Sequence, residues 1–175
     1  RDDSSRGHVR RGFHELLSWI DPQGVLQGAQ RPAGVGGWEI DLRTQEVHWS
    51  AQTRRIHEVP PGYRPTVGSG IAFYTPNAQA VWKAAMKDAV ENGTPWNLEL
   101  PFVTAKGRSL WVRVLGEVEY EGGQAVRLTG ALKDVTARHD QDLELKTAKQ
   151  GLELIERHAL ELDRLLAERS EMLDV

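Results

Sequence analysis

Apolar and polar residues alternate along several stretches of the chain. Trp38-Glu39-Ile40-Asp41-Leu42 and Val47-His48-Trp49 follow a two-residue period, and Arg43-Thr44-Gln45-Glu46 supplies a turn between them. The segments 96–103, 109–120 and 125–135 read as three more strands. Ala105-Lys106-Gly107-Arg108 and Glu121-Gly122-Gly123-Gln124 serve as their hairpin turns. Helical spacing occurs between and around these strands. Val9, Phe13, Leu16, Leu17 and Ile20 fall on one side of a short amphipathic helix, after an opening of eight residues without pattern. Asp21-Pro22-Gln23-Gly24 ends that helix and residues 24–36 read as loop. Ser50 can cap a helix through about Glu58, stopped by Pro60-Pro61. A Gly/Pro-rich stretch runs to Gly70. Thr75-Pro76 then opens a helix whose buried stripe is Ala78, Val81, Trp82, Ala85 and Ala89, closed by Asn92-Gly93. This order of elements predicts an α+β architecture, an antiparallel sheet with helices on one face.

Even hairpin loops would set Phe102 opposite Trp111, Leu100 opposite Arg113, Leu98 opposite Leu115, and Leu132 opposite Arg113. One face of the sheet would then carry Trp96, Leu98, Leu100, Phe102, Trp111, Arg113, Leu115, Val126, Leu128, Leu132 and Asp134. Arg113 and Asp134 become diagonal neighbours on an apolar face, so an ion pair between them is expected. A single bulge would invert this pattern.

Past residue 133 the chain changes character. Sixteen of the 17 glycines, all 8 prolines and all 6 tryptophans precede residue 131. Residues 134–175 hold 11 acidic and 6 basic side chains, a net of −5. From Arg138 a heptad fits, with Leu145, Leu152, Leu166 and Leu173 at a positions and Ile155 and Leu162 at d. Gln141, Ala148, Ala159 and Arg169 weaken that seam, while Leu154, Leu160 and Leu165 offer a competing face. A helix of about 40 residues spans roughly 60 Å. It is too long to hide its stripe against a domain of about 100 residues. A parallel homodimer is the simplest solution.

The chain has 175 residues, 39% hydrophobic and 27% charged, with a net charge of −3. That suits one core and argues against nucleic-acid binding. No stretch is long and apolar enough to span a bilayer, and no signal-peptide pattern opens the chain, so a cytoplasmic location is the expectation. Zero cysteines exclude disulfides, thiolate nucleophiles and cysteine metal sites. No P-loop, nucleophile elbow or metal-spaced histidine pair occurs, and Gly34-Val35-Gly36-Gly37 leads into a strand rather than a helix. A small α+β enzyme would have to draw on Arg113, Asp134, His48 and Glu99.

Four segments together resemble a PAS domain of the kind common in bacterial sensor proteins. They are Gly36-Gly37-Trp38-Glu39-Ile40-Asp41-Leu42, Val47-His48-Trp49-Ser50, Gly107-Arg108-Ser109-Leu110-Trp111-Val112-Arg113, and the run 126–136 that ends in Asp134-Val135-Thr136. The resemblance divides the chain into an N-terminal segment (1–32), a PAS sensor domain (33–136) and a signalling coiled coil (137–175). It implies a five-stranded antiparallel sheet cupping a small cavity, with Asp134 and Thr136, and Arg113 beside them, coupling the sheet to the following helix. Trp38, Trp49, Ile56, Phe73, Trp82, Met86, Leu98, Leu100, Trp111 and Arg113 are the candidates to line the cavity. Thr75-Pro76-Asn77-Ala78 departs from the His-Pro-Asp-Asp segment of many relatives, so the mouth chemistry differs.

Haem-binding relatives place a histidine on the helix corresponding to 76–91, which has none here. The light-sensing flavin subclass needs an adduct-forming cysteine. Haem and flavin are therefore disfavoured, and a small organic ligand or an empty cavity is expected. His158 lacks the acid, arginine and proline that usually follow a phosphoacceptor histidine and reads as an exposed g-position residue. Glu171-Met172-Leu173-Asp174-Val175 resembles the lead-in to a phosphoacceptor helix. The resemblance thus implies the input and dimerisation module of a sensor histidine kinase, non-catalytic in itself, or of a cyclic-dinucleotide synthase.

Overall fold

The computed structural model describes residues 34–173. The amphipathic helix expected near Val9–Ile20 lies outside them. The chain divides into two units after Thr136. In the first, strands β1 (Val35–Asp41), β2 (Val47–Trp49), β3 (Trp96–Val103), β4 (Ser109–Glu121) and β5 (Gln124–Asp134) form one antiparallel sheet of order β2-β1-β5-β4-β3. Helices α1 (Ala51–His57), α2 (Val67–Ala72) and α3 (Pro76–Asn92) connect β2 to β3. The core joins side chains of these helices to one face of the sheet. The fold class matches the sequence expectation.

Local chemistry sets the element ends. Ser50 caps α1 by accepting from Thr53 N, and Glu58 ends it in the left-handed region. Pro76 opens α3 and Gly93, at φ 70°, closes it. α2 begins in the Gly/Pro-rich stretch, where no helix was expected, and Thr66 and Ser69 form a reciprocal capping box at its start. Of the stripe expected on α3, Ala78, Trp82 and Ala89 are buried. Val81 instead is exposed.

The strand register departs from expectation by one residue. Phe102 pairs with Leu110, Leu100 with Val112, Leu98 with Val114 and Glu99 with Arg113. The cause is an odd loop: Thr104 leaves the strand, its amide bonds Arg108 O at 2.9 Å, and its hydroxyl accepts from Arg108 N at 3.0 Å. In the second hairpin the pairing is as expected at the turn, where Glu121 faces Gln124. A bulge between Glu119 and Tyr120 then shifts the rest, so Leu132 meets Val114 and Asp134 meets Val112. Leu110, Val112 and Val114 therefore face the helices, and Trp111, Arg113 and Leu115 point to the opposite face. Leu115 and Ala131 are buried on that opposite face too. The Arg113–Asp134 ion pair does not form; Arg113 Nε donates to Asn97 Oδ1 at 2.8 Å instead.

Helix α4 (Thr136–Leu173) makes up the second unit from Ala137 onward and has no buried residue. No helix among the described residues is long and apolar enough to cross a membrane.

Candidate functional site

Three indoles dominate the space between the sheet and α3. Trp38 stacks on Trp96 with ring centroids 5.8 Å apart, and Trp82 lies 5.9 Å from Trp38 and 5.8 Å from Trp96. Two glycines make room for them. Gly130 pairs with Trp38, Gly116 pairs with Trp96, and the two glycines pair with each other. A Cβ at Gly116 would overlap the Trp96 ring, and one at Gly130 would overlap the Leu115 carbonyl and the Trp38 ring. Gly36 has a similar role on β1. A Cβ there would strike Thr53, whose helix α1 is drawn onto the strand by Thr53 Oγ1 donating to Gly37 O at 2.8 Å and Gly37 N donating to Ser50 Oγ at 2.9 Å. The Gly36-Gly37-Trp38 segment is thus a docking surface for α1 as well as the start of a strand.

Beside the indoles lies a cavity of about 40 Å³, partly open to solvent. Its walls include Trp38 from β1, Trp49 from β2, His57 from α1, Ile71 from α2, and Tyr74 and Trp82 at and within α3. That is several times the space of roughly 10–15 Å³ one water requires. Among the described residues no Asp, Glu, Lys or Arg lines it. Of the expected pocket residues, Trp38, Trp49 and Trp82 line this cavity. Ile56, Leu100, Phe73 and Leu98 belong to the surrounding core, and Met86 lines a separate groove with Lys83 and Lys87. Trp111 and Arg113 are not pocket residues, because the register shift turns them to the far face.

His57 carries no signal in the hydrophobic pattern of the sequence. It is 3% exposed. Its ring stacks on Trp49 at 3.9 Å and meets Phe73 and Phe102 edge-on. Nδ1 lies 2.7 Å from Thr53 O. A carbonyl can only accept, so Nδ1 carries the proton and Nε2 keeps a lone pair. Burial pushes the His57 pKa down to about 4. Burial also raises that of the Tyr74 hydroxyl, which stays protonated. A side-chain hydrogen bond with the Trp82 indole opposes that rise, and the Nε1 atoms of Trp38 and Trp96 are buried without a partner among the described residues. The signal for His57 was its position four residues after Thr53 on a capped helix. His48, by contrast, is exposed beside Glu46 at 3.9 Å.

Next to His57, Glu58 ties α1 to the β3–β4 turn. Its carboxylate accepts from Thr104 Oγ1 at 2.6 Å and pairs with Arg108 Nε at 3.0 Å. The Thr104 hydrogen bond, with Arg108 adding to it, holds the Glu58 carboxyl below its ordinary range.

A second feature sits at the end of the sheet. Val135 N donates to Trp111 O at 2.8 Å, and Trp111 N donates to Thr136 Oγ1 at 3.0 Å. Thr136 N donates to Asp134 Oδ1 at 2.9 Å, and the Thr136 hydroxyl donates to the same oxygen. Asp134, Val135 and Thr136 are thus clamped to the start of β4 through both backbone groups of Trp111. Asp134 and Thr136 bond each other at the end of the sheet, and Arg113 bonds Asn97 instead. The structure also disperses the polar set of the enzyme reading: Arg113 and Glu99 lie on the far face, Asp134 at a strand end and His48 in solvent. Among the described residues no group of acids and histidines could hold a metal ion.

No family model matches the chain. It is 25% identical over 112 residues to a probable diguanylate cyclase, DgcE, of Escherichia coli, and spans 62% of this chain but 10% of that protein's length. It resembles the structure of a sensory box histidine kinase/response regulator from Burkholderia thailandensis, with a TM-score of 0.56 and 23% identity over 67% of this chain and 89% of that one. It also resembles the N-terminal domain of a diguanylate cyclase with PAS/PAC sensor from Marinobacter aquaeolei, with a TM-score of 0.55 and 20% identity over 60% and 98% of the two chains. The sheet and its helices have the PAS fold.

Proposed function

We propose that this PAS-fold domain is the sensory input of a longer cytoplasmic signalling protein, and that α4 carries its state to a histidine kinase output as one strand of a parallel homodimer. The observations behind this reading are the clamp that ends the sheet and the apolar stripe of the helix that follows it in the chain. The sheet ends in a hydrogen-bonded clamp at Asp134–Thr136. The helix that follows exposes Leu145, Leu152, Ile155, Leu162, Leu166 and Leu173, all more than half accessible. Burying a Leu or Ile side chain is worth about 1.5–3 kcal/mol. Two such stripes facing each other outweigh the ordering of an already helical rod.

In this reading the domain binds its signal rather than transforming it. A ligand in the cavity displaces α1 or α3 against the sheet, the clamp moves with β4 and β5, and the seam changes register. The competing face of Leu154, Leu160 and Leu165 supplies the alternative register. A diguanylate cyclase output is the second reading, favoured by the two cyclase relatives.

Grafting the chain in heptad frame onto the catalytic region of a histidine kinase, and separately onto a diguanylate cyclase domain, tests both readings. Output should rise and fall with a seven-residue period as single residues are inserted after Val175. Output that ignores helical phase would refute transmission through α4. The graft whose activity also depends on Thr136 identifies the output class.

A further inference from the structure

We infer that the groove bordered by α3, the end of β1 and the start of α2 binds a small amphipathic monoanion, a short hydrocarbon body bearing one carboxylate. This goes beyond the sensory reading, because the site is a second one. The groove holds about 260 Å³ against about 40 Å³ for the cavity, and only Ile40 and Val67 border both. Its chemistry follows from two rows on α3. Met86 and Val90, one turn apart, form an apolar row, and Lys83 and Lys87 form a basic row beside it. Spacings of three and four residues put all four on one side of the helix. Leu42 and Val67 complete the apolar part from the other two elements, and all four apolar side chains are only half-buried. A hydrocarbon laid along them removes that remaining surface from water. Both lysines are exposed at the rim. Lys87 Nζ lies 3.9 Å from Glu91 Oε1, and Lys83 pairs with no acid among the described residues. Two ammonium groups against the one Glu91 carboxylate leave the groove a net charge of +1, which suits a single carboxylate rather than a dianion. The head group stays at the wet rim, so its charge is not buried, while the lysine stems lie along the hydrocarbon and their ammonium groups reach the head.

Octanoate, octylammonium and acetate are matched probes. The first two share a body and differ in sign, and the third keeps the charge without the body. Each is titrated at pH 7 into the 175-residue chain labelled at its methionine methyl groups. The chain has two methionines, so Met86 reports the groove and Met172, exposed on α4, reports unspecific adsorption. Octanoate is expected to shift the Met86 signal saturably at about fivefold or more lower concentration than octylammonium, with Met172 unmoved and acetate without effect. Lys83→Gln and Lys87→Gln together leave Glu91 as the groove's one charged side chain among the described residues, so the order should reverse and octylammonium should bind the better. That binding also reports that the variant is folded. Octylammonium matching octanoate on the wild type, acetate matching octanoate, a preference for octanoate that survives both substitutions, a Met172 shift that tracks Met86, or no saturable shift at Met86 would each overturn the inference. Shifts of the Trp38 and Trp82 indole signals with Met86 unmoved would put the anion in the cavity instead and overturn it equally. The wild-type ranking decides the matter even if the double variant does not fold.

Discussion

His57 makes the stability of the domain pH-dependent in a window where most globular domains are insensitive. Its ring is buried against Trp49, Phe73 and Phe102, and its folded pKa is about 4 against 6.5 for the free side chain. Between those values the unfolded chain binds a proton that the folded chain refuses, so stability rises with pH. The contribution is fully present above about pH 6.5, falls as the pH drops below it, and levels off below about 4. The whole span is worth roughly 3 kcal/mol, and the loss between pH 7 and pH 5 roughly 2 kcal/mol. Glu58 and Asp41 have lowered pKa values and lose their contributions only at lower pH, so the range from 7 to 5 isolates the histidine. The perturbation is His57→Phe, which keeps an aromatic ring among aromatic neighbours and removes the titration. Urea melts followed by tryptophan fluorescence report the unit that carries the sheet, because all six tryptophans precede residue 131. The wild type should lose roughly 2 kcal/mol between pH 7 and pH 5 that the variant keeps. Parallel pH profiles would refute the reasoning.

Three further outcomes follow from the packing. Gly130→Ala drives a Cβ into the Leu115 carbonyl and the Trp38 ring, so it should destabilise the domain by about 3 kcal/mol or more; an unchanged urea midpoint would contradict that account. Thr136→Val removes the acceptor for Trp111 N–H and should cost about 1–3 kcal/mol, with faster amide exchange at Trp111, whereas Thr136→Ser should restore protection. If the valine variant exchanges like wild type, the clamp holds nothing. Leu152→Ala should raise the dimer dissociation constant at least tenfold in sedimentation equilibrium, while Leu143→Ala, off the seam, should leave it within about twofold.

The strands, α1, α3 and the long helix were legible because each carries its own local signal. Alternation marks the strands, Ser50 and Pro76 mark helix starts, and heptad leucines mark α4. α2 was missed because Gly68 and Gly70 look like loop, although Thr66 and Ser69, three residues apart, hold the capping box that starts it. The register was out of reach for a different reason. It hinges on whether Thr104 belongs to a strand or a loop and on one extra residue near Tyr120, and neither is fixed by hydrophobic pattern. Those two shifts place Trp111 and Arg113 on the face away from the cavity and leave no ion pair with Asp134. Trp38, Trp49 and Trp82 survived because they lie on β1, β2 and α3, outside the affected hairpins. His57 was hidden by its polarity: only tertiary packing against Trp49, Phe73 and Phe102 makes it a neutral wall residue.

The most direct test of the central claim is the distance between identical positions on two copies of α4. The chain has no cysteine, so single spin labels can be placed at Leu145→Cys and Leu173→Cys without background. Parallel pairing places both same-site pairs at one short separation of about 1–2 nm, since paired helix axes lie roughly 8–10 Å apart. Short distances at both ends are the expected result. A distance that is short at neither end, or absent at protein concentrations of hundreds of micromolar, would contradict the account.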